Sequence, residues 1–107
     1  MAWTVVFLDE RVELEMEEQP VDIRARFDRL RDLIAEHGPT GLPPKLAKHI
    51  DGKLWELRMK GRDGVARAFY VTAEPRRLLI LRVFTKKTQK TPKREIELAQ
   101  ARAKEVI

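Results

Sequence analysis

In Leu54-Trp55-Glu56-Leu57-Arg58-Met59-Lys60-Gly61-Arg62-Asp63-Gly64-Val65-Ala66-Arg67-Ala68-Phe69-Tyr70-Val71-Thr72, apolar Trp55, Leu57 and Met59 alternate with polar Glu56, Arg58 and Lys60, and β-favouring residues resume after Gly64. Period-two alternation, a turn bounded by glycines and a second β-rich run predict an antiparallel hairpin. With Gly61 to Gly64 as the loop, Lys60 faces Val65 and Arg58 faces Arg67. Directly opposed side chains hold their Cβ atoms about 4.5–5.5 Å apart, and like charges there repel unless an anion sits between them. The pair suggests a phosphate site, because two guanidiniums grip phosphate oxygens bidentately and stabilise charge that builds up in phosphoryl transfer. Two other outcomes stay open: Glu56 or a remote acid neutralises the pair, or a bulged loop shifts the register and separates it. In the same register Trp55 lies opposite Tyr70 on the face of Leu57 and Ala68, which favours core packing for both.

Downstream, Ala73-Glu74-Pro75-Arg76 reads as a turn, and Leu78 to Phe84 as a central strand interrupted only by Arg82. Thr91 caps a final helix that starts at Pro92, with Ile96, Ala99, Ala103 and Val106 on one face. Upstream, Gly38 to Pro44 is a loop rich in glycine and proline, and Lys45 to Ile50 is expected to form one turn. Ile23, Phe27, Leu30 and Ile34 repeat at helical spacing after Pro20, with Gly38-Pro39 as the stop. Asp9 caps a shorter helix carrying Val12 and Met16, and Trp3 to Leu8 is a buried strand. The expected fold class is α+β: an N-terminal strand, a two-helix hairpin, a three-stranded antiparallel meander completing one sheet, and a C-terminal helix. Residues 1–107 then form one domain, and the second face of the sheet is expected to stay open.

Charge is distributed unevenly. The net charge is +5, yet the window from Pro75 to Arg94 alone carries +8 and no acid, leaving −3 elsewhere. The first twenty residues hold Asp9, Glu10, Glu13, Glu15, Glu17 and Glu18 against Arg11. A concentrated basic zone steers association with polyanions, so RNA, DNA or an anionic surface leads the partner classes, with a solvated charged face as the alternative. Residues 82, 84 and 86 share a face if the third strand stays extended; Phe84 there either stacks a base beside Arg82 and Lys86 or closes the core. No Ser-His-Asp order, glycine-rich phosphate loop or paired-ligand spacing occurs, and His37 and His49 are isolated, so neither a metal nor another cofactor is expected. The chain has no cysteine, which fits a reducing compartment, and its N-terminal run reaches Asp9 too soon for a signal segment or membrane span. The expected location is the cytoplasm, with no membrane partner.

Leu54-Trp55-Glu56-Leu57-Arg58, Arg67-Ala68-Phe69-Tyr70, Leu79-Ile80-Leu81 and above all Phe84-Thr85-Lys86-Lys87-Thr88-Gln89-Lys90-Thr91-Pro92 resemble the phage Gp49-like, HigB-type branch of the RelE superfamily. The resemblance is detailed from Lys53 to Val106 and covers the first half mainly in element order. It implies a RelE-like fold and a toxin of a type II toxin–antitoxin pair, an endoribonuclease that cuts mRNA in the ribosomal A site without an ordinary acid-base pair. It also implies a helix-turn-helix antitoxin as partner, with operator DNA reached only through that antitoxin. Arg58, Arg67, Lys86 and Lys87 match the catalytic positions; Arg82, Phe84, Lys90, Lys60 and Tyr70 complete the expected RNA-binding set. The tyrosine that several relatives use near the C-terminus has no counterpart, because the chain continues as a helix. The alternative reading is a translation inhibitor that binds RNA or the ribosome without cutting.

Overall fold

The computed structural model describes residues 2–86 and 92–106. Strand β1 (Thr4–Phe7) leads to α1 (Glu10–Glu17) and α2 (Val21–His37); β2 (Ala47–Asp51), β3 (Leu54–Lys60), β4 (Val65–Ala73) and β5 (Arg77–Lys86) follow, and α3 (Lys93–Ala103) closes the chain. Asp9 starts α1 by accepting the Arg11 backbone N–H, and α2 stops where Gly38 takes φ +77° and donates to the Ile34 carbonyl at 2.7 Å. The capping expected of Thr91 lies outside the described residues; the helix begins at Lys93, after Pro92.

The five strands form one sheet in the order β1-β5-β4-β3-β2, with β1 parallel to β5 and the rest antiparallel. The meander therefore has a fourth strand. Much of Lys45 to Ile50, expected as a turn, is the edge strand β2, which pairs Ala47 with Leu57, Lys48 with Glu56 and His49 with Trp55. Lys48, His49 and Asp51 are exposed, so this edge lacks the apolar alternation that marks half-buried strands.

On one face, Val12 and Met16 of α1 and Ile23, Phe27, Leu30 and Ile34 of α2 pack on Leu57, Met59, Ala68, Tyr70 and Ile80. The second face is not left open. Ala99 and Ala103 of α3 pack there on Leu54, Phe69, Val71, Leu81 and Phe84, while Val106, expected on the buried side, is exposed past the helix end.

A bulge in β5 connects these layers. Phe69 pairs with Arg82 and Tyr70 with Ile80, so Leu81 is the additional residue. The insertion switches the parity of β5. Positions before it place Leu78 and Ile80 against the α1–α2 layer, whereas after it Val83 points there and Phe84 joins the α3 layer.

Candidate functional site

The β3–β4 register matches the hairpin expectation: Arg58 is paired with Arg67, and Lys60 with Val65. Arg67 is in turn paired with Phe84 of β5, and Val65 with Lys86. The two arginines thus sit side by side in the middle of the sheet, on the face that α3 partly covers. Their side chains differ in access, since Arg58 is 31% exposed and Arg67 5%.

Glu56 lies two residues before Arg58 on the same strand, so its side chain points to the same face. It is fully buried, and its Oε1 is 3.5 Å from Arg58 Nε and 3.2 Å from Arg67 Nε. One carboxylate therefore stands between two guanidiniums. Among the described residues Arg67 Nη1 is buried without a hydrogen-bond partner. Burial, then the neighbouring Arg58 charge, lower the pKa of Arg67, and Glu56 opposes both effects. An arginine nonetheless stays protonated, so the cluster holds surplus positive charge in a poorly hydrated setting, a favourable place for an anion.

Three members of the expected RNA-binding set are used differently by the fold. Tyr70 is buried in the α1–α2 layer beside Leu57, on the face opposite the arginines, because alternation places 68 and 70 away from 67 and 69. Phe84 does reach the arginine face, but it is buried against Phe69 with ring centroids 5.2 Å apart, so its ring is not presented for base stacking. Arg82 is held by acids: its Nε is 2.8 Å from Glu95 Oε1 and its Nη1 is 2.9 Å from Glu15 Oε2. These partners, Glu95 first, raise its pKa, and they make Arg82 a tie between α1, β5 and α3 instead of a free phosphate contact.

Lys60 is exposed at the end of β3, one row beyond the arginine pair. Lys86 ends β5, while Lys87 and Lys90 lie outside the described residues. Lys48 was not legible as a candidate. It is exposed on β2 and paired with Glu56, which places a further cation beside the cluster; only recognition of the edge strand could have located it. His49 pairs with Trp55, whose side of β3 belongs to the other face.

A chain of the archaeal RelE–RelB complex from Pyrococcus horikoshii OT3 superposes with a TM-score of 0.56 at 20% identity, covering 81% of this chain and 98% of that one. The fold is RelE-like, and the site on it is an arginine pair bracketing a buried carboxylate. Residues 14–104 match the family model described as Phage derived protein Gp49-like (DUF891), and the chain belongs to that family, one of RelE/HigB-type toxins. No curated protein matches the sequence.

Proposed function

We propose that the protein is the toxin of a type II toxin–antitoxin pair and acts in the cytoplasm as an endoribonuclease on mRNA in the ribosomal A site. Family membership and the RelE-like fold support the toxin reading. The observation that carries the chemistry is the pairing of Arg58 with Arg67 around Glu56, which gathers two guanidiniums about one buried carboxylate.

In this reading the ribose 2′-oxygen attacks the adjacent phosphorus, forming the O2′–P bond while the P–O5′ bond breaks. The 2′ proton is lost and the departing 5′ oxygen gains one. Arg58 and Arg67 stabilise the charge that builds on the non-bridging oxygens, and Lys86 or Lys87 assists the hydroxyl or the leaving oxygen. Lys60 and Lys90 hold flanking phosphates, and cationic contacts of this kind make binding salt-dependent. In this reading the antitoxin is a helix-turn-helix protein that also binds operator DNA; the RelB chain of the archaeal complex supports an antitoxin partner as such.

Primer extension on a reporter mRNA in a translation extract, with and without ribosomes, tests the reading. New 5′ ends that require ribosomes and vanish in Arg67→Ala and Lys87→Ala are expected. Arrested translation without new ends would replace it with a ribosome-binding inhibitor on the same fold.

A further inference from the structure

Two arginines facing each other across a hairpin repel, and each has rotamers that carry it away from the other. Something must hold them together before a substrate arrives. Among the described residues Glu56 is the one side chain at ion-pair distance from both, with a single oxygen, Oε1, 3.2 Å from Arg67 Nε and 3.5 Å from Arg58 Nε. Its Oε1 faces the Nε edge of each guanidinium at ion-pair distance, without a hydrogen bond to either Nε. Arg67 Nη1, on the outer edge, is buried without a hydrogen-bond partner among the described residues. Charge attraction therefore draws the inner edges toward Glu56 and leaves the outer edges, where bidentate contacts to phosphate are made, for a ligand.

The charge balance has a second consequence. With Glu56 present the pair carries one surplus positive charge; without it the pair would carry two, in a site from which Arg67 and Glu56 are almost wholly shielded from water. Electrostatics alone would then favour a phosphate more strongly, while the orientation of the donors would be lost. Affinity and cutting should separate.

We infer that Glu56 is a positioning residue that orients Arg58 and Arg67 toward the scissile phosphate and limits how tightly the pair holds RNA, an inference that rests on the endoribonuclease reading for its catalytic half. Glu56 does not touch substrate in this scheme. It acts through the guanidiniums, and its buried position between them is what distinguishes it from the surface acids of α1.

The test compares the parent with Glu56→Gln, which keeps the volume and removes the charge, and with Glu56→Asp, which keeps the charge on a shorter stem. Two quantities are measured for each: cutting by primer extension with ribosomes, and Kd for a short labelled single-stranded RNA across a salt series. Glu56→Gln is expected to cut on the order of 100-fold more slowly, the loss typical of a small misplacement of catalytic groups. It should also bind the RNA several-fold more tightly at low salt, with the gain fading as salt screens the added charge. Glu56→Asp should return binding to the parent level and recover part of the cutting.

A Glu56→Gln protein that cuts at the parent rate overturns the inference. So does one that loses RNA affinity together with cutting, because that is the behaviour of a residue needed only for folding. If the parent itself makes no cuts, the endoribonuclease reading fails separately. The binding series then decides alone: tighter, salt-sensitive binding by Glu56→Gln upholds Glu56 as the charge that sets the pair, and unchanged or weaker binding removes it.

Discussion

Arg67 and Glu56 form a buried ion pair, 3.2 Å from Nε to Oε1, that Arg58 shares from the neighbouring strand at 3.5 Å. Two cations for one anion is an unfavourable arrangement in the interior, since each charge brought out of water must be offset by contacts that the second arginine lacks. Arg67 Nη1 has no hydrogen-bond partner among the described residues, and the lowered pKa of Arg67 reports the same imbalance.

Replacing Arg67 with methionine is therefore expected to abolish cutting and yet stabilise the fold. Arg58 remains to pair with Glu56, and the two orphaned donors of Arg67, Nε and Nη1, disappear. The gain is about 1 kcal/mol, or a rise in Tm of roughly 4–8 °C, read by thermal melting beside a primer-extension assay. A fall of several degrees would show that Arg67 is held for stability instead of function.

The arginine pair was legible because alternation on β3 and the Gly61–Gly64 loop leave one simple register. What surrounds it was not. The edge strand β2 reads as polar loop because Lys48 and His49 face solvent. The bulge at Leu81 is hidden in an apolar run whose parity switch leaves no mark, so the face reached by Phe84 could not be read from Leu78 to Phe84. Nor does the sequence announce that Arg82 is bound by Glu15 and Glu95, acids on two different helices brought to it only by packing. Local pattern fixes pairs within a hairpin; long-range burial decides whether a charge is spent inside the fold.

Asp22 links α2 to the same hairpin. Its carboxylate accepts the Arg62 backbone N–H and that of Ile23, and these bonds, Arg62 first, lower its pKa below 3.8. Gly61 is packed so closely here that an added Cβ would come 2.6 Å from Ile23 Cδ1 and 2.8 Å from Asp22 Oδ2. Because the folded pKa is depressed, the stabilisation is present above pH 3.8 and fades as the pH falls through the folded value. Asp22→Ala should melt below the parent at pH 7, with the two Tm curves converging in acid. Parallel curves down to the most acidic point would contradict this origin.

Tyr70 is the single tyrosine of the chain, so its titration can be followed without interference from another phenol. Burial in the α1–α2 layer pushes its pKa up from 10.0 to about 12. The phenolate absorbance of the folded protein should stay low through pH 10 and rise only near the higher value, or abruptly on unfolding. The raised folded pKa means that the hydroxyl's contribution to stability is intact below pH 10 and is lost as the pH climbs toward 12. Half-ionisation near pH 10 with native structure retained would place the ring in water and reopen it as an RNA contact.

Arg102 is the connection whose loss should be felt most. Strand β1 pairs with β5 only from Arg77 to Ile80, so beyond that point the edge of β5 needs other partners. Glu15 Oε1 accepts the Val83 N–H at 3.0 Å, and Arg102 Nη1 donates to the Leu81 carbonyl at 2.8 Å while lying 2.9 Å from Glu15 Oε2. Side chains of α1 and α3 thus close an exposed strand edge and anchor α3 over Phe84, the residue paired with Arg67. Arg102→Met strips the Leu81 carbonyl of this donor and leaves Glu15 with one cation fewer; the expected cost is about 3–5 kcal/mol in urea unfolding. Adding Glu15→Gln should cost less than the sum of the single changes, because both act on one network. Strict additivity would mean that α3 is held by its apolar contacts alone, and the site would then not depend on this edge.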